Sequence, residues 1–338
     1  TGHQRMTANL RSNPPAGSVA TRGVTPFEGD VVIRSRRAES DGVVSLELVL
    51  PTRELLPAWR PGAHIDVVLP NGLTRQYSLC GSVEDRESWR IGVLREPGGR
   101  GVSQWIHDHA GEGTRLRVRG PRNNFPLLPA RRYLFLGGGI GITPLLPMVA
   151  EADASGADWV LHYGGRTRSS MAFLDELARH GDRVVITPQD EAGMLDLAAV
   201  LDRPDESTVV YCCGPSGLID AVELYCRSWP PGALHVERFV ANQAAAGAEN
   251  QPVEVELAAT GLTVTVPPEC SVLEAVEKAG VRVASSCTEG ICGSCETPVL
   301  EGEPEHRDSV LTDEERADGD IMMICVSRAR GGRLVLDL

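Results

Sequence analysis

A chain of 338 residues is long enough for two or three domains of ordinary size, and 42% hydrophobic with 23% charged residues is the balance of a soluble globular protein. No apolar run approaches the ~20 residues that cross a bilayer, residues 1–22 hold no apolar signal region, and a net charge of −13 argues against nucleic acid as a partner, so a cytoplasmic location is the expectation. Nine cysteines without an export signal point to metal or redox chemistry and away from a disulfide framework.

Residues 1–26 contain Asn13-Pro14-Pro15-Ala16-Gly17-Ser18 and no apolar period, and read as a flexible tail or linker of the kind expected in a chain cut from a longer polypeptide. Across 27–128, short alternating apolar stretches predict strands at Val31–Arg34, Val43–Leu50, His64–Leu69, Arg75–Cys80, Trp89–Arg95 and Thr114–Val118, with a hairpin at Asn71-Gly72 and one helix near Val102–His109. That pattern predicts a small antiparallel β-barrel. Across 129–240 the rhythm becomes strand, glycine turn, helix. Tyr133–Leu136, Trp159–Tyr163, Val184–Thr187, Thr208–Cys212 and Leu234–Glu237 alternate with helices near Leu145–Asp153, Ala172–His180 and Leu218–Arg227, which predicts a doubly wound α/β domain. Residues 241–251 are small and polar and read as a second linker.

Across 252–338, Val253–Ala258 and Leu262–Val266 alternate around Thr260-Gly261, and Ser271-Val-Leu-Glu274 is a capping box opening a helix to Ala279. A cysteine loop follows, then strands near Pro298–Leu300, Ile321–Cys325 and Leu334–Leu336, the order of a β-grasp ferredoxin domain. This last segment holds 7 Lys plus Arg and 17 Asp plus Glu, a net of −10, and so ten of the thirteen excess negative charges. Either it is a solvated acidic domain or it presents an acidic face to a basic redox partner.

Cys287, Cys292 and Cys295 have the spacing C-x4-C-x2-C, and Cys325 follows Cys295 after 29 intervening residues. That is the plant-type 2Fe–2S spacing, in which each iron takes two thiolates. A structural zinc site fits poorly, since zinc ligands come as two close pairs. Gly290, Gly293 and Ser294 free backbone N–H groups to face the sulfurs. Cys270 lies outside the spacing and reads as a small buried apolar residue. The region resembles plant-type ferredoxins and, through Leu300-Glu-Gly-Glu-Pro-Glu-His306-Arg-Asp-Ser309-Val-Leu-Thr-Asp-Glu-Glu, the C-terminal domain of reductases of the phthalate dioxygenase reductase type.

Leu136-Gly137-Gly138-Gly139-Ile140-Gly141-Ile142-Thr143-Pro144 follows an apolar strand and opens a helix, where bare backbone and a helix N-terminus favour a pyrophosphate. A glycine turn alone also serves tight packing. A second turn, Tyr211-Cys212-Cys213-Gly214-Pro215, ends another strand of the same sheet. The pair resembles the nucleotide domain of the ferredoxin–NADP reductase superfamily, which implies that Gly138, Gly139, Ile140, Gly141 and Thr143 cradle the nucleotide and that Cys213, with Gly214 and Pro215, sits by the nicotinamide. Cys212 and Cys226 read as packing residues. Arg166, Arg168 and Ser169 could hold a 2′-phosphate or form a solvated basic loop. NADPH is slightly favoured over NADH.

Arg75-Gln76-Tyr77-Ser78 resembles the flavin motif of the same superfamily. Arg75 can take a phosphate bidentately, Tyr77 can pack on the flavin, and Ser78 can hydrogen-bond where hydride arrives. Gly98-Gly99-Arg100-Gly101-Val102-Ser103 opens a short helix as a second phosphate cradle. The resemblance implies that Gly99, Arg100, Gly101, Val102 and Ser103 hold the phosphate of FMN, with Val93 and Arg95 completing the flavin set. Gly120-Pro121-Arg122-Asn123-Asn124-Phe125 resembles the same group. Phe239, after the last strand of the α/β domain, is the aromatic that stacks on the flavin in relatives. The chain thus resembles an electron-transfer reductase that takes hydride from NAD(P)H and passes single electrons through FMN and a 2Fe–2S cluster. The implied acceptor is an oxygenase, either a separate Rieske enzyme or a haem–thiolate monooxygenase, in some relatives fused ahead of the flavin domain. Ser78, Cys213 and Phe239 are the expected catalytic residues. A non-catalytic carrier would lack the flavin and nucleotide motifs, and a free flavin reductase would have no use for the cluster.

Overall fold

The computed structural model describes residues 27–240 and 250–338, so the readings of 1–26 and of most of the second linker fall outside the described residues. The first unit contains β1 (Phe27–Ser40), β2 (Val43–Val49), β3 (Ala63–Val68), β4 (Thr74–Ser78), β5 (Trp89–Leu94), α1 (Val102–His109) and β6 (Arg115–Asn123). The strands form one antiparallel sheet in the order β4-β3-β6-β1-β2-β5. Alternating residues such as Val31 and Ile33, or Leu46 and Leu48, point inward, and a sheet apolar on one face must curl to bury it. The two edges meet where Leu79 bridges Ile91 and the Cys80 N–H donates to the Arg90 carbonyl at 2.8 Å, closing the barrel at one corner. α1 plugs one end through Val102 and Ile106.

The second unit comprises β7 (Arg132–Gly138), α2 (Ile142–Ala154), β8 (Asp158–Gly165), α3 (Leu174–Leu177), β9 (Val184–Pro188), α4 (Gln189–Ala192), α5 (Leu197–Leu201), β10 (Thr208–Cys213), α6 (Ser216–Tyr225) and β11 (Leu234–Glu237). Its sheet is wholly parallel, in the order β11-β10-β7-β8-β9. Period-two alternation sends Tyr133, Phe135 and Tyr211 to the face covered by α2, and Leu134, Leu136 and Val210 to the face covered by α5 and α6. The chain reverses its winding between β7 and β10, the crevice where such sheets bind ligands. One expected element differs. In place of a helix over Ala172–His180, α3 has four residues and runs into 3-10 turns through Arg183. Phe173 is buried at φ +62° and Gly181 at φ +56° breaks the helical path, so tertiary packing overrides the local apolar period.

The third unit holds β12 (Val253–Leu257), β13 (Leu262–Val266), α7 (Val272–Lys278), β14 (Glu296–Glu301), β15 (Pro304–Glu305), α8 (Asp313–Asp318), β16 (Ile321–Met323), β17 (Arg328–Ala329) and β18 (Arg333–Leu336). The main sheet runs β13-β12-β18-β14-β16, with β12 and β18 parallel, and α7 packs Val272, Leu273 and Val276 into its core. This is a ferredoxin fold. Ser271 and Glu274 form the foreseen capping box; Thr312 and Glu315 form a second one that starts α8. Among the described residues no helix is long and apolar enough to cross a membrane.

Candidate active site and electron-transfer centre

All three units border one cavity of about 550 Å³. β4 supplies one wall, the turns after β7 and β10 supply the opposite one, the residues after β11 cover an end, and Ile291 of the ferredoxin unit reaches in. Cys213 pairs with Gly137 on one side and Glu237 on the other, so the three strand ends meet at the switch point of the parallel sheet.

On the barrel side, Arg75, Gln76, Tyr77 and Ser78 line the cavity, and Arg75 Nη2 donates to the Phe239 carbonyl at 3.5 Å. His64 faces Ser78 across β3–β4. Burial and the nearby Arg122 push its pKa down to about 4, so its ring is neutral. Burial pushes the Tyr77 phenol up, beyond any working pH. Four buried polar atoms of cavity-lining residues have no protein partner: Tyr77 Oη, Gln76 Oε1, His64 Nε2 and Glu237 Oε2. Buried polar groups without partners are costly and rare. Orphans lining one cavity fit a flat ligand with polar edges, as a flavin is. At the other end, α1 begins at Gly101 (φ +98°) without a side-chain cap. Ser103 lines the cavity there beside Glu96, whose N–H donates to Ser103 Oγ at 3.1 Å.

Other residues of the expected flavin set lie elsewhere. Val93 and Val102 are buried in the barrel core. Arg95 forms a bidentate pair with Asp108 on the outer surface, at 2.6 and 3.2 Å. Gly99 and Gly101 shape the turn before α1 without lining the cavity. Arg100 turns to the ferredoxin unit, where it donates to the Cys287 carbonyl at 3.1 Å.

On the nucleotide side, Gly138, Gly139, Ile140, Gly141 and Thr143 line the cavity, as do Gly214 and Pro215. A Cβ on Gly141 would fall inside the Cys213 carbonyl, and one on Gly138 would lie 2.7 Å from Pro215. The glycines therefore serve close packing of the two turns, and that packing exposes bare backbone to the cavity. α2 and α6 both start here with no side-chain cap, so their free N–H groups and dipoles favour an anion such as a pyrophosphate. Arg166 lines the cavity. Arg168 is held by Glu191 at 2.7 Å, and Ser169 is not on the cavity wall. Phe239 lines the cavity and packs on the core of the α/β unit.

Cys213 is fully buried, and burial with Glu237 nearby raises its thiol well above the ordinary range, so it stays neutral. Glu237 was missed as a site residue. Burial raises its carboxyl to about 8, against the lowering effect of its hydrogen bond with Ser78. The available signal was an acid ending a strand at the carboxyl edge of a parallel sheet. Gln189, Met194 and Leu195 also border the cavity and carry no sequence motif.

Cys287, Cys292, Cys295 and Cys325 are all buried. Their side chains contact one another in the pairs Cys287–Cys292, Cys287–Cys325 and Cys295–Cys325. The Glu289 N–H donates to Cys287 Sγ at 3.3 Å, the Cys287 N–H to Cys292 Sγ at 3.4 Å, and Ser294 Oγ lies 2.9 Å from Cys292 Sγ. Four converging thiols served by N–H and hydroxyl groups fit a Cys₄ cluster whose sulfurs carry negative charge. Cys270 is half-buried, not buried as expected, and Lys278 Nζ donates to its Sγ at 3.3 Å.

Flavin and nucleotide walls meeting beside a four-cysteine site define an iron–sulfur flavoprotein oxidoreductase built for electron transfer. Comparison with known proteins agrees. Residues 255–330 match the 2Fe-2S iron-sulfur cluster binding domain. The chain is 46% identical over 301 residues to the phenoxybenzoate dioxygenase subunit beta of Ectopseudomonas oleovorans, covering 88% of this chain and 94% of that one. A solved phthalate dioxygenase reductase, described as modular for electron transfer from pyridine nucleotides to [2Fe-2S], superposes with a TM-score of 0.68 at 39% identity, over 92% of this chain and 98% of its own. An intact type IV self-sufficient cytochrome P450 monooxygenase superposes with a TM-score of 0.86 at 43% identity, over 92% of this chain; the chain spans 41% of that protein. The chain belongs to the phthalate dioxygenase reductase family. It is an oxidoreductase of the oxygenase-reductase type, carrying electrons from NAD(P)H through a flavin to a 2Fe–2S cluster.

Proposed function

We infer that the flavin is FMN, that NADPH is the preferred nucleotide, and that the electrons leave the cluster one at a time for an oxygenase. The carrying observation is the position of the cysteine loop: Ile291, between Cys287 and Cys292, borders the same cavity as Tyr77 and Phe239. A flavin bound here would take one hydride, that is two electrons with a proton, and release the two electrons singly. The chain's own residues bind and orient. Ser78 and the neutral Glu237 carboxyl present hydrogen-bonding groups at the nicotinamide end, Tyr77 and Phe239 supply apolar faces that exclude water, and the α2 and α6 N-termini hold the pyrophosphate. Hydride transfer requires alignment more than acid or base groups, so the remaining histidines have no assigned role.

Ser103, in the first turn of α1 and on the cavity wall, supports FMN, whose single phosphate would meet its hydroxyl. Arg166 supports NADPH, because it is the one arginine of its loop that lines the cavity while Arg168 is engaged by Glu191. Arg166→Ala should raise KM for NADPH about tenfold, the worth of one charge-assisted hydrogen bond, and leave KM for NADH nearly unchanged. Equal effects on both nucleotides would remove Arg166 from 2′-phosphate recognition. For the acceptor, the higher TM-score with the self-sufficient monooxygenase supports a haem–thiolate domain, fused or separate, and a Rieske oxygenase is the second reading. Reconstitution with each class of acceptor, scored by nucleotide-driven reduction of its iron, separates the two.

A further inference from the structure

The barrel and the ferredoxin unit are separate folds, yet three barrel side chains grip the loop that carries three of the four cluster cysteines. Gln76 Nε2 donates to Ser286 Oγ at 2.9 Å. Arg100 Nη1 donates to the Cys287 carbonyl at 3.1 Å, and its Nη2 lies 3.3 Å from the Glu289 carboxylate. Asn124 Nδ2 donates to the Cys292 carbonyl at 3.0 Å. Two of these acceptors are main-chain carbonyls of cluster ligands, so the grip acts on the ligand backbone itself.

Two of the three grips are braced from behind. Gln76 Nε2 also donates to Asp66 Oδ1 at 2.7 Å, and Asp66 is fully buried and paired with Arg122 at 2.6 Å. Arg100 Nη2 donates to the Thr74 carbonyl at 3.3 Å. Beside Asn124 the loop carries Gly293, where a Cβ would lie 2.9 Å from Asn124 Nδ2, so the approach is as close as a glycine permits. Between the gripped Cys287 and Cys292 lies Ile291, the ferredoxin residue that lines the flavin cavity.

We propose that Gln76, Arg100 and Asn124 are positioning residues that clamp the Cys287–Cys292 edge of the cluster loop onto the flavin site and so set the rate of the single-electron step between the two centres. The proposal rests on the function inferred above. In that step one electron leaves the reduced flavin and enters the oxidised cluster, and no bond forms or breaks. Its rate depends on the separation of donor and acceptor, which the clamp controls. Hydride arrival uses the nucleotide turns after β7 and β10 and none of these three contacts. The contacts are few and polar, and the Arg100–Glu289 pair is about one-third exposed, so loosening them leaves both folds intact.

The test uses Asn124→Ala and Glu289→Gln, singly and together, in the full chain carrying its cofactors. Rapid mixing with NADPH should show flavin reduction at the wild-type rate and cluster reduction slower than wild type in the double variant. Hydrogen exchange, which reads the loop without turnover, should be faster across residues 286–293 in the same variant. Faster exchange with an unchanged rate of cluster reduction would overturn the proposal, because the loop would be loose and the electron indifferent. Unchanged exchange would overturn it as well, because the contacts would hold nothing. If NADPH never reduces the cluster of the wild-type chain, the inferred function fails and not the clamp alone.

Discussion

Glu237 shows how one side chain ties stability to pH. Its carboxyl is raised to about 8 by burial, against an ordinary value of 4.5. Between those values the unfolded chain has released the proton and the folded chain keeps it, so raising the pH favours unfolding. The penalty grows from about pH 4.5, is complete near pH 8, and is flat beyond. Glu237→Gln holds the neutral form at every pH. Its unfolding midpoint should therefore rise relative to wild type between pH 6 and pH 8.5, measured by thermal melts at both. A difference that does not change with pH would mean that Glu237 ionises freely in the folded protein. At this scale sequence legibility was partial. Arg75, Gln76, Tyr77, Ser78 and Phe239 announce themselves by motif, and all five line the cavity. Arg95 and Arg168 have the right residue type on the right loop, but Asp108 and Glu191 claim their charges. Which carboxylate captures an arginine is decided by three-dimensional neighbours 13 and 23 residues away, and no local pattern reports it.

Among the elements, the two glycine turns carry the nucleotide half of the site. Gly141→Ala would force the β7 and β10 turns apart, because its Cβ falls inside the Cys213 carbonyl. Overpacking of this kind costs about 1–3 kcal/mol, and the separated turns should also weaken nucleotide binding; thermal melts and a nucleotide titration check both effects. Gly217→Ala is the matched control. It lies on the same cavity, in α6, with nothing within 4 Å of its Cβ, and should be neutral or slightly stabilising. Strands were legible, by period-two alternation in β12 and by short continuous apolar runs in β7 and β10. Short helices were not. α4 and α5 have four and five residues, too few for a 3.6-residue period to appear. α8 had a readable signal in Thr312 and Glu315, but its single turn and a half buries nothing, so no apolar stripe called attention to it.

For the whole molecule, the arrangement explains why three folds occupy one chain. The α/β unit brings the nucleotide to the barrel, the barrel holds the flavin between nucleotide and cluster loop, and the ferredoxin unit turns a two-electron donor into a one-electron source. The order of these units was legible because each has its own periodicity and motif. Their mutual placement was not, because it depends on contacts such as Asn124 with Cys292, 168 residues apart. The arrangement predicts that Cys292→Ser abolishes reduction of cytochrome c, a one-electron acceptor, while hydride transfer to the flavin continues. Full cytochrome c reduction by that variant would take the cluster out of the path.

The most direct test of the relay is an anaerobic absorbance titration of the purified chain with NADPH and then NADH. Flavin bands should appear together with a broad cluster shoulder, both bleaching as nucleotide is added, with NADPH the faster reductant. A cluster spectrum without flavin, unmoved by either nucleotide, would contradict it and leave the chain a carrier or sensor in place of a reductase.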